Sequence, residues 1–357
     1  MILKGKALFL KELDGFKLFF GVDYLKILIL EYITAMGIDD PSLWSEGQAM
    51  LDGFLEDFKD RDVDYLISLD QSISRNNYCN PVKLEGELME WLDQNISNYD
   101  SCLVIAPEED FILYDIVNFI EKKGVGIIGS SSDAVMICSD KFRMYESLKE
   151  NVPIIKTEKV FFKDMDSYEP FNNKRILKPA DGVSCSGVHV VNSKGEMKKA
   201  ASLIETNLPY FIIQNFIEGT SASVSLISNG SEAVPLSLNL QDIHFSDEGI
   251  NYNGGQVPLT HELEEEAKKV AKKAVESIDG LNGYVGVDMI LGEEVHLVEI
   301  NSRITTPYVA LRRLLNFNLG DAILDSIYGD KLPKKINLCG SISFCKKDDV
   351  LKLDELR

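Results

Sequence analysis

The chain has 357 residues, 45% of them hydrophobic and 26% charged, which suits two or three domains of ordinary globular make-up. With 37 Lys and Arg against 57 Asp and Glu, the formal net charge is −20, which disfavours nucleic acid and anionic lipid as partners. No apolar run reaches the ~18 residues that a membrane helix needs, and six cysteines without a C-x-x-C pair fit reduced thiols in a cytoplasm better than zinc or redox chemistry.

Residues 1–25 read as an extension before the first strand. Lys11, Glu12, Asp14 and Lys17 interrupt the segment too early for a signal-peptide core. From Lys26 onward, strands and helices alternate. Residues 26–32 are an apolar run of buried-strand length, and Ser45-Glu-Gly-Gln48 reads as a capping box for the helix that follows. Residues 65–69, 102–106 and 125–129 are the next expected strands, separated by helices over 84–92 and 112–120. Such alternation predicts a parallel sheet covered on both faces, an α/β domain over residues 26–134.

Beyond it the texture changes. A short helix is expected over 140–149, capped by Ser139 or Asp140. Short strands over 158–162, 175–178, 188–191, 210–215 and 222–228 predict antiparallel sheet, so the second part is α+β. Leu263, Ala267, Val270, Ala271, Ala274 and Ile278 form the apolar stripe of a long helix, with Thr260 as its cap.

Four constellations are able to carry chemistry. The first is a hairpin of residues 283–291 and 295–301. A two-residue type II′ turn at Gly292-Glu293 would set Asp288 opposite Leu297 and make Glu299 its diagonal neighbour. Asp288, Glu299 and Asn301 then share one face, a hard oxygen set that suits Mg²⁺. Polar residues on a solvated sheet face would read the same way. Arg303 would counter these carboxylates or hold a phosphate oxygen.

The second is Lys178 and the loop after it, with Gly182, Ser184, Ser186 and Gly187. Its backbone N–H groups and small hydroxyls can wrap a phosphate, although any Gly/Ser-rich hairpin loop looks similar and no Walker motif closes it. The third is Lys141 in the first turn of its helix, where the macrodipole disfavours a cation and an anionic partner would make sense. A solvated lysine is the plainer alternative. The fourth is the strand and linker through Gln214, Asn215, Phe216, Ile217 and Glu218, able to offer backbone groups to an adenine edge between apolar walls. Glu31, at the end of the first strand, stands where parallel sheets bind ligands. It suits an amino group, or is simply a helix-facing or surface carboxylate.

The order of these pieces is Asp-Lys, Lys-Pro with a Gly/Ser loop, Gln-x-Phe-Ile-Glu-Gly, then Gly-Val-Asp…Glu-Ile-Asn-x-Arg. That order resembles the ATP-grasp superfamily over about residues 26–327. The resemblance implies a small lobe at 135–218 and a C-terminal lobe at 219–357. It implies that Lys141 and Lys178 hold the phosphates of ATP and that the loop through Gly182, Ser184, Ser186 and Gly187 closes over them. Gln214, Asn215, Phe216, Ile217 and Glu218 would hold adenine. Asp288, Glu299 and Asn301 would hold Mg²⁺ or Mn²⁺, and Arg303 would act with Lys178 on the transferred phosphoryl group. One departure is Ser221, where many relatives place a ribose-binding glutamate. The implied chemistry joins a carboxylate to an amine through an acylphosphate, releasing ADP and phosphate.

Residues 29–37 and 43–58 are further similar to the archaeal tyramine–glutamate ligases of methanofuran biosynthesis. That implies glutamate, through its γ-carboxylate, and tyramine as small-molecule partners. A ligase for another amino acid or dipeptide, or a nucleotide-binding regulator without turnover, remains as an alternative. The oligomeric state is open, a homo-oligomer included.

Overall fold

The strand Lys26–Glu31 is buried at every position but the first, because it lies in the middle of a five-stranded sheet. The computed structural model describes residues 8–13, 16–21, 25–70, 78–183, 185–246, 249–347 and 349–356. The sheet runs Asn80–Lys83, Asp62–Ile67, Lys26–Glu31, Ser101–Ile105 and Gly126–Ile127, every pairing parallel. The chain first adds strands on one side of Lys26–Glu31 and then crosses to the other. The switch point therefore lies between Lys26–Glu31 and Ser101–Ile105, and a crevice for ligands is expected at their C-terminal ends.

Local chemistry explains most departures from expectation in this domain. Asn80–Lys83 is a strand with no counterpart among the expected ones, and its Pro81 is tolerated because the strand lies at the sheet edge. The first long helix is Pro41–Asp57, with Asp40 as N-cap and Pro41 in the first position. Ser45 is thus inside the helix and not its cap; its Oγ accepts from Leu351 N at 2.5 Å. Gln48 donates to Asp52 instead of reaching back, at 2.9 Å.

Two helices, Ser132–Ser139 and Lys141–Leu148, lead into the small lobe. Asp140 caps the second, its Oδ1 accepting from Phe142 N at 2.9 Å. The first was missed, since only Asp140 interrupts an otherwise continuous pattern. The small lobe is a four-stranded antiparallel sheet, ordered His189–Val191, Arg175–Pro179, Tyr210–Asn215, Thr157–Phe161. Helix Lys194–Ala201 lays Met197, Ala200 and Ala201 on Val160, Leu177, Phe211 and Ile213.

The C-terminal lobe is a seven-stranded antiparallel sheet. Its order is Val295–Asn301, Asn282–Leu291, Thr220–Asn229, Ala233–Ser246, Gly249–Val257, Ser341–Lys347 and Val350–Leu356. Helix Glu264–Val275 buries Ala267, Ala271, Ala274 and Val275 against Val224, Leu226, Val285 and Val287. Thr260 does not cap it: Leu263 stands at the N-cap, and its N–H donates to His261 Nδ1 at 3.1 Å. The tail, for which the sequence suggested no role, completes the sheet.

This lobe is docked on helix Pro41–Asp57 through helix Pro307–Leu314. The Phe54 and Tyr308 rings stack at 4.3 Å, and Arg312 Nη2 donates to Asp57 Oδ1 at 2.7 Å. Residues Leu8–Leu13 and Phe16–Gly21, expected as a plain extension, pair as a separate antiparallel hairpin. Among the described residues no helix is long and apolar enough to cross a membrane.

Candidate active site

The hairpin expected to hold the metal is present, with a different register. Leu291 pairs with Val295 and Met289 with Leu297, so the turn is three residues long, Gly292 to Glu294. Left uninterrupted, that register would set Val298 opposite Asp288 and turn Glu299 to the other face, since a one-residue slip inverts a strand. A bulge between Asp288 and Met289 absorbs the extra residue. Asp288 is thereby directly opposite Glu299, not its diagonal neighbour, and Gly286 is opposite Asn301. The three side chains share one face because a longer turn and a bulge cancel.

That face forms one wall of a cavity of about 350 Å³ between the two lobes. Asp288 and Glu299 meet Lys141, Lys178, Gly182 and Ser186 there, and Gln214 through Glu218 line its far end. The structure therefore brings most of the expected residues to one place. Asn301 stands just outside the lining, donating Nδ2 to Asp288 Oδ2 at 3.1 Å. Gly187 also lies outside the lining; it takes φ 65° and packs its backbone near Pro179. Ser184 lies outside the described residues. Gln214 presents its amide to Thr157 Oγ1 at 2.8 Å, and its strand is paired on both sides, with Thr157 and Ile176 opposite it.

The charges are tightly coupled. Lys141 Nζ lies 3.4 Å and Lys178 Nζ 3.7 Å from the same oxygen, Oε2 of Glu299. Lys141 also donates to Gly182 O at 2.5 Å, tying the helix to the loop. Burial pushes the Glu299 carboxyl up, but the two lysines outweigh it and hold it below its ordinary range. Burial lowers the Lys178 ammonium, with Glu299 pulling the other way. Asp288 has no lysine so close: burial, then the Glu299 charge, lift its carboxyl to about 7 despite hydrogen bonds from Asn301 and Gln241.

A half-buried carboxylate pair so strained by its own charge fits a hard cation. Among the described residues no three His, Cys, Asp or Glu side chains converge as a metal cluster; the oxygens gathered here belong to the Asp288 and Glu299 carboxylates and the Asn301 amide. That chemistry suits a divalent ion of the Mg²⁺ kind and not zinc.

Some residues came to light only in three dimensions. Lys174 and Gln241 both line the cavity. Lys174 Nζ sits 3.5 Å from the Phe216 ring centroid, a cation–π contact at the linker end. Gln241 Nε2 donates to Asp288 Oδ1 at 2.9 Å from two strands away, and nothing local in the sequence signals it. Glu31 does not point its carboxylate at a ligand. Its two oxygens accept from Ile33 N at 3.3 Å and Thr34 N at 2.8 Å, capping the next helix. Arg303 lies outside the cavity lining, held by Glu108 Oε2 at 2.8 Å.

The geometry is that of a cleft between two antiparallel sheets in which two lysines meet two carboxylates. Family models for a pre ATP-grasp 3 domain and an ATP-grasp domain match residues 63–135 and 138–307. The chain belongs to the ATP-grasp superfamily, among its ATP-dependent carboxylate–amine ligases. Within it, the chain is 36% identical over 293 residues to the tyramine–L-glutamate ligase of Methanocaldococcus fervens, covering 80% of this chain and 89% of that one. It is 34% identical over 320 residues to the enzyme of the same name from Methanocaldococcus jannaschii, covering 87% and 92%. Among solved structures, an ATP-grasp superfamily protein of Archaeoglobus fulgidus superposes with a TM-score of 0.72 at 26% identity, covering 93% of this chain and 100% of that one. Enzymes of this superfamily use ATP and divalent metal ions on small-molecule substrates.

Proposed function

We propose that the protein joins the γ-carboxylate of glutamate to the amine of tyramine with hydrolysis of ATP to ADP and phosphate, a step of methanofuran biosynthesis in the cytoplasm. The observation that carries the ATP chemistry is the convergence of Lys141 and Lys178 on one oxygen of Glu299, across the hairpin from Asp288. The choice of substrates is supported by the likeness to the two tyramine–L-glutamate ligases over most of the chain.

Lys141 and Lys178 neutralise the phosphates, and the loop through Gly182, Ser184, Ser186 and Gly187 excludes water from a hydrolysable acylphosphate. The backbone from Gln214 to Glu218 holds the adenine, with Phe216 and Ile217 as its walls. Asp288, Glu299 and Asn301 hold Mg²⁺, or Mn²⁺ in its place. When bound, that ion offsets charge on the phosphates and draws it from the transferred group. Lys178 and Arg303 stabilise the equatorial oxygens of the phosphoryl group as the glutamate carboxylate attacks it. The amine then attacks the acyl carbon, and phosphate leaves.

Phosphate release from ATP and Mg²⁺, with amino acids and amines offered in pairs, tests the reading. It is expected with glutamate plus tyramine. Release with another pair would replace the substrates, and nucleotide binding without release under any pair would replace the enzyme by a regulator.

A further inference from the structure

Three carboxylates of the parallel-sheet domain surround Arg303, and only one of them keeps an unclaimed oxygen. Glu31, at the C-terminal end of Lys26–Glu31, spends both oxygens on helix N–H groups. Arg303 nonetheless acts on it, drawing its carboxyl down against the stronger upward push of burial. Glu46 accepts from Thr306 Oγ1 at 2.7 Å with one oxygen and pairs with Lys346 through the other. Glu108 follows strand Ser101–Ile105 and is 5% exposed. Its Oε2 holds Arg303, while Oε1 is buried with no hydrogen-bond partner among the described residues. Ser302 Oγ, beside Arg303 in the chain, is likewise buried without a partner.

An orphaned carboxylate oxygen is costly, because its charge keeps the full desolvation penalty. Its position is not arbitrary. Glu31 and Glu108 flank the switch point of the parallel sheet, where open α/β sheets bind ligands. The loop that carries Glu108 continues into two successive non-glycine residues in the left-handed region, Asp110 at φ 51° and Phe111 at φ 60°. Such backbone persists only when its surroundings enforce it.

We propose that Glu108 Oε1, beside Arg303 at the switch point, is the acceptor for a primary ammonium group of one of the two organic substrates. A cation suits the place, since three carboxylates, Glu31, Glu46 and Glu108, stand there against two cations, Arg303 and Lys346. Oε1 is closed to solvent, so the ammonium is admitted by a rotamer change that swings Glu108 and Arg303 together. Both proposed substrates carry a primary ammonium, the α-ammonium of the amino acid or the ammonium of the amine. In this the inference rests on the ligase reading above.

The test is steady-state phosphate release by the full chain, as wild type, Glu108→Gln and Glu108→Asp, with each substrate varied in turn. Glu108→Gln is expected to raise KM for the substrate whose ammonium it meets by about tenfold or more, leaving KM for ATP within about twofold. Each source has its own competitor that lacks the ammonium: 4-(2-hydroxyethyl)phenol for tyramine and glutarate for glutamate. Wild type is expected to prefer the ammonium-bearing compound over the one without it, and Glu108→Gln to lose that preference for one pair only. Glu108→Asp is expected to restore part of it.

Unchanged KM for both substrates with the preference intact would overturn the proposal. So would a fall in kcat joined to a rise in KM for ATP, which would make Glu108 a positioning residue for Arg303 alone. If Glu108→Gln does not fold, the preference ratio of Glu108→Asp decides between the same outcomes. If wild type releases no phosphate with any pair, the ligase reading fails by itself. Calorimetric binding of the four compounds to wild type and variant, with ADP present, then decides this one.

Discussion

Asp288 and Glu299 face each other across a bulge, and the residue that makes the bulge is Val298. The pair is half-buried, and the asymmetry of its surroundings divides it. Two lysines stabilise the charge on Glu299, whereas Asp288 is held by the amides of Gln241 and Asn301.

That division predicts different costs for the two isosteric substitutions. Both Asp288→Asn and Glu299→Gln are expected to cut ligation by about 10²-fold or more, since each removes a charged oxygen from the cation and the transition state. Without added metal, Asp288→Asn is expected to keep or raise thermal stability, because it removes a charge that burial and Glu299 oppose. Glu299→Gln is expected to lower stability, leaving two buried lysines uncompensated. Thermal melts with and without Mg²⁺, beside phosphate-release rates, check both halves.

Removing the metal separates the site from the fold. Asp288 and Glu299 are placed by backbone pairing, which needs no ion. A chelator is therefore expected to abolish phosphate release while leaving the far-ultraviolet circular dichroism unchanged. Restoring Mg²⁺ or Mn²⁺ is expected to recover activity. Loss of secondary structure on chelation would mean that the cation holds the hairpin together.

Gly219 joins the linker to the metal hairpin by close approach. A Cβ there would stand 2.4 Å from Leu291 O. Gly219→Ala is expected to cost about 1–3 kcal/mol of stability and to weaken ATP binding by moving the Gln214–Glu218 backbone. Urea unfolding and nucleotide titration measure the two effects. ATP affinity equal to wild type would show that the linker backbone does not contact the base.

The docking of the lobes has a charged centre that is easy to probe. Arg312 donates to Asp57 from Nε at 3.0 Å and Nη2 at 2.7 Å, and Tyr308 OH donates to the other Asp57 oxygen at 2.5 Å. The Asp57 and Arg312 side chains are only 6% and 9% exposed, so Asp57→Ala is expected to destabilise by about 3–5 kcal/mol. Asp57→Ala combined with Arg312→Met is expected to cost less than the single change, because no charge is stranded. Denaturation midpoints of the single and double variants form the cycle.

Much of the fold was legible because its signals are local. The run from Lys26 to Glu31 reads as a buried strand from its own composition, and the stripe from Ala267 to Ala274 from its 3.6-residue period. Errors fell where a local rule met a distant partner. Ser45 looked like a cap, but Asp40 with Pro41 starts the helix, and Ser45 serves the tail instead. Glu31 could be read locally as a ligand for an amine or as a helix-facing carboxylate, and the structure has it capping the helix after it.

By itself, the sequence determined the alternating domain, the antiparallel lobes and the order of the motifs that marks an ATP-grasp ligase, because side-chain period and motif order are properties of the chain. Only the tertiary structure decided the register of the metal hairpin, since turn length and bulge must cancel and neither is visible alone. It also decided that Lys141 and Lys178 share one oxygen, that Gln241 reaches Asp288, and that Arg303 rests on Glu108. These pairs are far apart in the chain. Their meeting depends on how sheets and lobes pack, and no local pattern carries that information.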